Sequence, residues 1–183
     1  TAAIEKFFWD EEKGAYIDSF TSGKRNVTRH ANIFAILFDI ADKQKQEKIL
    51  KNVLENDEIP AITTPYFNFF ELDVLCQMGK LTEVLDKIRS YWGGMLDLGA
   101  VTFWEEYDPS VPKEEQYDMY GDHFGKSLCH AWAASPIYFL AKYFAGLDLV
   151  NKDGVTYVLK PQMQYFTDLD CTLPVGSDGT VRL

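Results

Sequence analysis

Apolar side chains recur at helical spacing along most of the chain as far as Gly146, and they do so in two styles. Residues 2–9 carry Ile4, Phe7 and Phe8 on one side and end at the acidic segment Asp10-Glu11-Glu12-Lys13-Gly14. Residues 15–20 then read as a short extended piece and residues 21–24 as a turn. From Thr28, a predicted N-cap, a helix runs to about Ala41 with one stripe of Ile33, Ile36, Leu37 and Ile40 and a second of Phe34, Phe38 and Ala41. A helix apolar on most of its circumference belongs inside. The following helix, capped by Asp42 and running to about Glu55, has the single stripe Ile49, Leu50, Val53 and Leu54 and belongs outside. Thr64 and Pro65 open a helix surrounded by Tyr66, Phe67, Phe69, Phe70, Leu72, Val74, Leu75 and Met78, which Gly79 stops. Thr82 is predicted to cap an amphipathic helix with Val84, Leu85, Ile88, Tyr91 and Trp92 inward, ended by Gly93-Gly94. Residues 93–126 keep no period and read as loop. The last helix is expected from Ser127 to about Ala145, buried all round and kinked at Pro136.

Alternation of outer and inner helices is the pattern of a double-layered ring of α-hairpins, and these helices make about half of such a ring. The inner-to-outer joins at residues 41–43 and 79–81 are short, whereas the outer-to-inner joins at 10–27, 56–63 and 93–126 are long. Long polar loops are where function concentrates. If all of them emerge where the inner helices begin, then Arg29, His30, Tyr66, His130 and Glu105 are expected to share one mouth. After Gly146 the pattern alternates like strands, at residues 154–161 and 176–183, with turn signals between. The expected division is a helical domain over 1–146 and the beginning of a β-domain over 147–183.

A chain of 183 residues, 46% hydrophobic, is long enough for a domain that buries roughly 70% of its unfolded surface. The 28 acidic against 18 basic side chains, a net charge of −10, argue against nucleic acid or an anionic membrane as partner. No apolar run reaches the eighteen or so residues of a membrane helix, and the start Thr1-Ala2-Ala3-Ile4-Glu5 suggests a chain that begins within a longer polypeptide. Cys76, Cys129 and Cys171 are too scattered for a disulfide framework and are expected to be buried thiols. They show no metal-ligand spacing with His30, His123 or His130, so neither metal nor cofactor is expected.

The stretch Gly99-Ala100-Val101-Thr102-Phe103-Trp104-Glu105 is the strongest chemical candidate. It sets a carboxylate beside an indole, as a sugar site requires: CH faces stack on aromatics while carboxylates polarise hydroxyls and water. The same pair also describes a core tryptophan next to a solvated glutamate. Glu106 is the alternative acid group. Arg29 has two readings, a sugar contact or a structural ion pair. Trp132 is expected in the core, and Asp122 and His123 are expected to serve only loop hydrogen bonding.

Five short words in order, Thr28-Arg29-His30-Ala31-Asn32, Thr64-Pro65-Tyr66-Phe67, Ile88-Arg89-Ser90-Tyr91-Trp92-Gly93, Thr102-Phe103-Trp104-Glu105 and Ser127-Leu128-Cys129-His130-Ala131-Trp132, resemble the C-terminal part of bacterial α-L-rhamnosidases. The resemblance implies the second half of an (α/α)6 toroid followed by the start of a C-terminal β-sandwich. It implies an inverting glycoside hydrolase acting on rhamnose-containing glycosides or plant polysaccharide fragments, in the bacterial cytoplasm or periplasm. Glu105 is then the general base on water and His130 a sugar contact, with Trp104, Tyr66, Arg29 and His30 as further substrate-binding candidates. The family's general acid lies in a motif with no counterpart here, so the N-terminal half of the polypeptide is the expected partner and the chain alone is expected to hydrolyse nothing. Another (α/α)6 glycosidase or phosphorylase, or a non-catalytic helical scaffold, are the competing readings.

Overall fold

A computed structural model describes residues 2–150 and 156–183. Among these the chain is mainly helical with small two-stranded antiparallel sheets. It divides into two compact units, Thr1–Val74 and Leu75–Leu183. None of its helices, among the described residues, is long and apolar enough to cross a membrane.

In the first unit, α1 (Ala2–Phe8) leads into a hairpin of β1 (Trp9–Asp10) and β2 (Ala15–Tyr16), with Trp9 opposite Tyr16 and Asp10 opposite Ala15. Asp10 closes this hairpin: its Oδ1 accepts the backbone N–H groups of Glu12 and Lys13 at 3.0 and 3.1 Å. Gly14 completes it at φ 59°, where a Cβ would meet the Asn52 amide at 2.5 Å. Of the extended piece expected over 15–20, only Ala15–Tyr16 is strand, with Ile17 N–H still donating to the Phe8 carbonyl at 2.9 Å. α2 (Arg29–Leu37) and α3 (Lys43–Ile49, continued by a π turn at Leu50–Leu54) follow. Asn32, fully buried on α2, accepts Tyr16 N–H at 2.8 Å and donates to the Tyr16 and Thr28 carbonyls at 2.9 Å, so one amide ties hairpin to helix. Asp42 is the N-cap as read, its carboxylate accepting Lys45 N–H at 2.9 Å. Thr28 holds the N-cap position of α2 but makes no capping bond; its hydroxyl goes to Asp18 instead. That helix also ends at Leu37, short of Ala41, because Phe38 turns out, 69% exposed, and Asp39 adopts φ 52°. Ile17, Ile33, Ile49, Val53, Leu72 and Val74 form the buried core, each worth roughly 1.5–3 kcal/mol on burial.

α4 (Pro65–Gln77) begins at the predicted proline and stops at Gly79, φ 76°, where Lys80 N–H returns to the Leu75 carbonyl at 2.8 Å. In the second unit, α5 (Leu81–Lys87), a π turn (Ile88–Trp92) and α6 (Gly93–Asp97) form one uninterrupted helical run. This corrects two expectations. Lys80, not Thr82, is the N-cap, and Gly93-Gly94 does not end the helix. Gly94 serves close approach instead: a Cβ there would collide with the Tyr107 ring. The run ends at Gly99, φ 92°.

The helix expected from Ser127 begins only at α7 (Ser135–Phe139), continued by a π turn at Leu140–Phe144, with a single 3-10 turn at Ala131–Ala133 before it. Pro136 sits in the first turn, where its missing N–H is harmless, so it starts this helix and does not kink it. Nor is the segment buried all round, since Trp132, Ile137 and Leu140 are exposed. Beyond Gly146, β3 (Leu147–Leu149) pairs with β4 (Tyr157–Leu159) and β5 (Thr172–Val175) with β6 (Gly179–Arg182). The part of the predicted strand at residues 154 and 155 lies outside the described residues. Of the cysteines only Cys76 is buried; Cys129 is exposed and Cys171 half-buried, so the expectation of three buried thiols fails.

Candidate active site

The Phe-Trp-Glu strip is placed by the end of α6 and by a second piece of irregular chain that runs alongside it. After Gly99 turns the backbone, Phe103 accepts His130 N–H at 2.8 Å and Glu105 donates its own N–H to the Ser127 carbonyl at 2.9 Å. The Thr102 hydroxyl adds a bond to the Leu128 carbonyl. Residues 102–105 and 127–130 are thus laced together, which is why segments far apart in sequence present their side chains side by side. The lacing is anchored below. Trp92 Nε1 donates to Ala133 O at 2.8 Å, the Tyr91 hydroxyl accepts Tyr107 N–H at 3.2 Å, and the Tyr91 and Tyr107 rings meet edge to face at 5.5 Å. Gln116, 2% exposed, fixes the middle of the long loop by donating to the Asp108 and Val111 carbonyls.

Glu105 is 7% exposed. One carboxylate oxygen accepts the Tyr120 hydroxyl at 2.9 Å and the other accepts Ser127 N–H at 3.1 Å, with His130 Nδ1 3.8 Å away. Burial is the strongest single influence on this group and opposes its charge. The Ser127 and Tyr120 donors, with His130 and Lys126, together outweigh burial and hold the carboxyl below its usual range. An ionised carboxylate whose oxygens each keep a further lone pair can accept a proton from water. The same bond, working in reverse, raises the Tyr120 hydroxyl above its ordinary value. Lys126, almost wholly buried, lies 3.9 Å from Glu106, and burial pulls its ammonium down against the pull of the surrounding acids.

His130 stands in extended backbone just before the 3-10 turn, not at the start of a long helix. Its ring lies 4.1 Å from that of Trp132 at 35°, and Trp132 is 46% exposed, not in the core. With Val101, Thr102, Phe103, Cys129 and Ala131, His130 lines a hollow of about 340 Å³, within the range of small-molecule sites. Trp104, by contrast, is buried and meets Tyr117 edge-on at 5.6 Å, which gives it a packing role. Asp118 and His123 bond to each other at 2.5 Å at the loop surface.

In the first unit, Arg29 takes the structural alternative: it is buried and donates to Glu71 at 2.9 Å and to the Leu54 carbonyl at 2.9 Å. His30 is exposed on the same helix with its ring 4.1 Å from Phe67, and Tyr66 is 47% exposed with its ring against Phe70. Sequence reading missed Glu71, although an acid on a helix otherwise ringed by apolar residues was the available signal. It also missed Tyr120, Lys126 and the Ser127 backbone, for which periodicity offers no signal because the loop has none. Among the described residues no cluster of His, Cys, Asp and Glu is arranged to hold a metal.

No curated protein matches this chain. Among solved structures it is similar to a rhamnosidase from Klebsiella oxytoca with rhamnose bound, at 32% identity and a TM-score of 0.68. That match covers 78% of this chain and 26% of the other, so this chain corresponds to about a quarter of that protein's length. The bacterial alpha-L-rhamnosidase 6 hairpin glycosidase domain matches residues 1–144, which takes in the laced Glu105 and His130 strips along with every helix described, and the chain belongs to that glycoside hydrolase family.

Proposed function

We propose that this chain supplies the general-base half of an inverting α-L-rhamnosidase site. Glu105 takes a proton from the water that attacks the anomeric carbon, while a carboxylic acid from polypeptide outside these residues protonates the leaving oxygen. Inversion requires the two carboxyl groups to stand roughly 6.5–9.5 Å apart with the water between. The observation that carries this reading is a buried carboxylate, held ionised by Ser127 and Tyr120, 3.8 Å from a histidine that opens on a hollow.

His130 is the nearest sugar contact in this proposal, and Trp132, whose ring lies beside it, is an aromatic face for the sugar in place of the buried Trp104. Within the first unit, His30 and Tyr66 keep exposed rings and remain sugar-contact candidates, whereas the Arg29 guanidinium is committed to Glu71 and Leu54. The largely apolar lining of the hollow suits a 6-deoxy sugar, in which a methyl group replaces a hydroxymethyl. Residues 1–146 are read as the second half of an (α/α)6 toroid and 147–183 as the start of a β-sandwich.

The test is Glu105→Ala in the polypeptide that carries both carboxyl groups, assayed on an aryl α-L-rhamnoside and on the matching glucoside. Loss of rhamnoside turnover by about a hundred- to ten-thousandfold is expected. Azide, a nucleophile that needs no base, should restore reaction and give the inverted glycosyl azide. Undiminished hydrolysis by the variant, or turnover by the pure 183-residue chain alone, overturns the proposal.

A further inference from the structure

The long loop of the second unit folds back at Met119–Asp122, whose two residues exchange backbone hydrogen bonds of 3.0 Å in each direction. The central positions are Tyr120 at φ 56° and Gly121 at φ 82°. A two-residue hairpin turn with both central φ values positive favours Asn-Gly or Asp-Gly, because an ordinary side chain crowds its own backbone there. Glycine meets that demand at the second position. Tyrosine does not meet it at the first, and its side chain is not retained by packing, since Tyr120 is 80% exposed. What the tyrosine does make is a single directed bond, from its hydroxyl to Glu105 Oε1 at 2.9 Å.

We infer that Tyr120 is a positioning residue for Glu105: the strained turn aims its hydroxyl at one carboxylate oxygen, and this bond with Ser127 N–H fixes the plane of the carboxylate. Strain held at one exposed residue, with a functional carboxylate as the beneficiary, is the pattern expected of a built site. The inference rests on Glu105 being the general base. The groups that face Glu105 are Tyr120 and Lys126 from the loop and Ser127 N–H and His130 from the laced segment, with Glu106 on its own strip also acting on Tyr120. Removing the Tyr120 hydroxyl leaves the others in place and withdraws one donor from the ionised form, so Glu105 should hold its proton to higher pH.

Three variants of the catalytically competent polypeptide separate the possibilities. Glu105→Gln tests the underlying reading: full activity there removes Glu105 from the chemistry and the inference with it. Tyr120→Phe keeps the ring and the turn but loses the hydroxyl; kcat should fall about two- to tenfold, in line with one lost hydrogen bond, with KM unchanged and the acid limb of the kcat/KM profile displaced to higher pH. Tyr120→Asn suits the turn better and should show the same loss of kcat in a more stable protein. In the 183-residue chain itself, the side-chain carboxyl carbon of Glu105 should titrate at higher pH in Tyr120→Phe, a readout independent of turnover. If Glu105→Gln is inactive yet both Tyr120 variants keep native kcat, pH profile and carboxyl titration, Tyr120 has no positioning role. If instead KM rises while kcat holds, the Tyr120 side chain contacts the sugar and the inference is likewise overturned.

Discussion

Two buried glutamates, one in each unit, show how differently the same side chain can be used. Glu71 is 2% exposed and takes a 2.9 Å bond from Arg29, whose guanidinium also reaches the Leu54 carbonyl. Its orientation is committed to a permanent cation with fixed donor geometry. Glu105 is nearly as buried at 7% exposed, but neutral donors hold it, a backbone N–H and a phenol, with the imidazole of His130 at 3.8 Å. Neutral donors keep a carboxylate charged and oriented without occupying it as an ion pair would. The first arrangement locks elements together, and the second leaves a carboxylate available for a proton.

Turnover and stability should respond oppositely to the loss of each group. Glu105→Ala should lower turnover by about two to four orders of magnitude while lowering the melting temperature far less than loss of the Arg29 cation does. Arg29→Ala should do the reverse in the chain itself, removing about 3–5 kcal/mol of stability because Glu71 is left buried without its cation. Denaturant unfolding of the two variants checks this directly. A stable Arg29→Ala protein would mean that the Glu71 network is not structural.

A smaller effect sharpens the account of how Glu105 is placed. Gly94→Ala puts a methyl group into the Tyr107 ring, and Tyr107 is held by Tyr91 two residues past the carboxylate. Overpacking of this kind costs about 1–3 kcal/mol. Because the ring must shift, turnover should fall along with stability, whereas Gly93→Ala, with open space around its Cβ, should be near neutral in both.

What could be read from the chain beforehand followed the range of the interactions involved. The Asp42 cap, the Pro65 start and the Gly79 stop are settled within a few residues, and each falls where local chemistry puts it. Glu105 and His130 were recognisable as motif words, and the structure sets them 3.8 Å apart. Gly93-Gly94 misleads because its use is tertiary: the small residue admits a ring from a strip beyond the helix end. Pro136 misleads for a related reason, since apolar periodicity upstream of it looks helical until the pairing of 102–105 with 127–130 claims those backbone groups for another purpose. Tyr120 was invisible because nothing in a Met-Tyr-Gly-Asp turn announces a partner fifteen residues back.

The smallest effect concerns acid, and it distinguishes the units by what holds their carboxylates. Asp10 is kept below the usual carboxylate range first by the Arg25 guanidinium, then by backbone N–H groups, and Glu105 by Ser127 and Tyr120 against the cost of burial. In both cases the folded-state value lies below the unfolded one, so the stability each contributes is complete above about pH 4 and is lost as pH falls through the folded value. Melting temperatures should therefore drop as the chain is acidified, and Asp10→Asn and Glu105→Gln should each flatten that dependence. High salt separates them. The Arg25 side chain is 53% exposed, so about 1 M salt should screen its hold on Asp10 and erase much of the difference between native and Asp10→Asn. The donors to Glu105 carry no net charge, and its share of the acid sensitivity should persist in salt. Equal loss of both contributions at high ionic strength would mean that His130 and Lys126, not the neutral donors, keep Glu105 ionised.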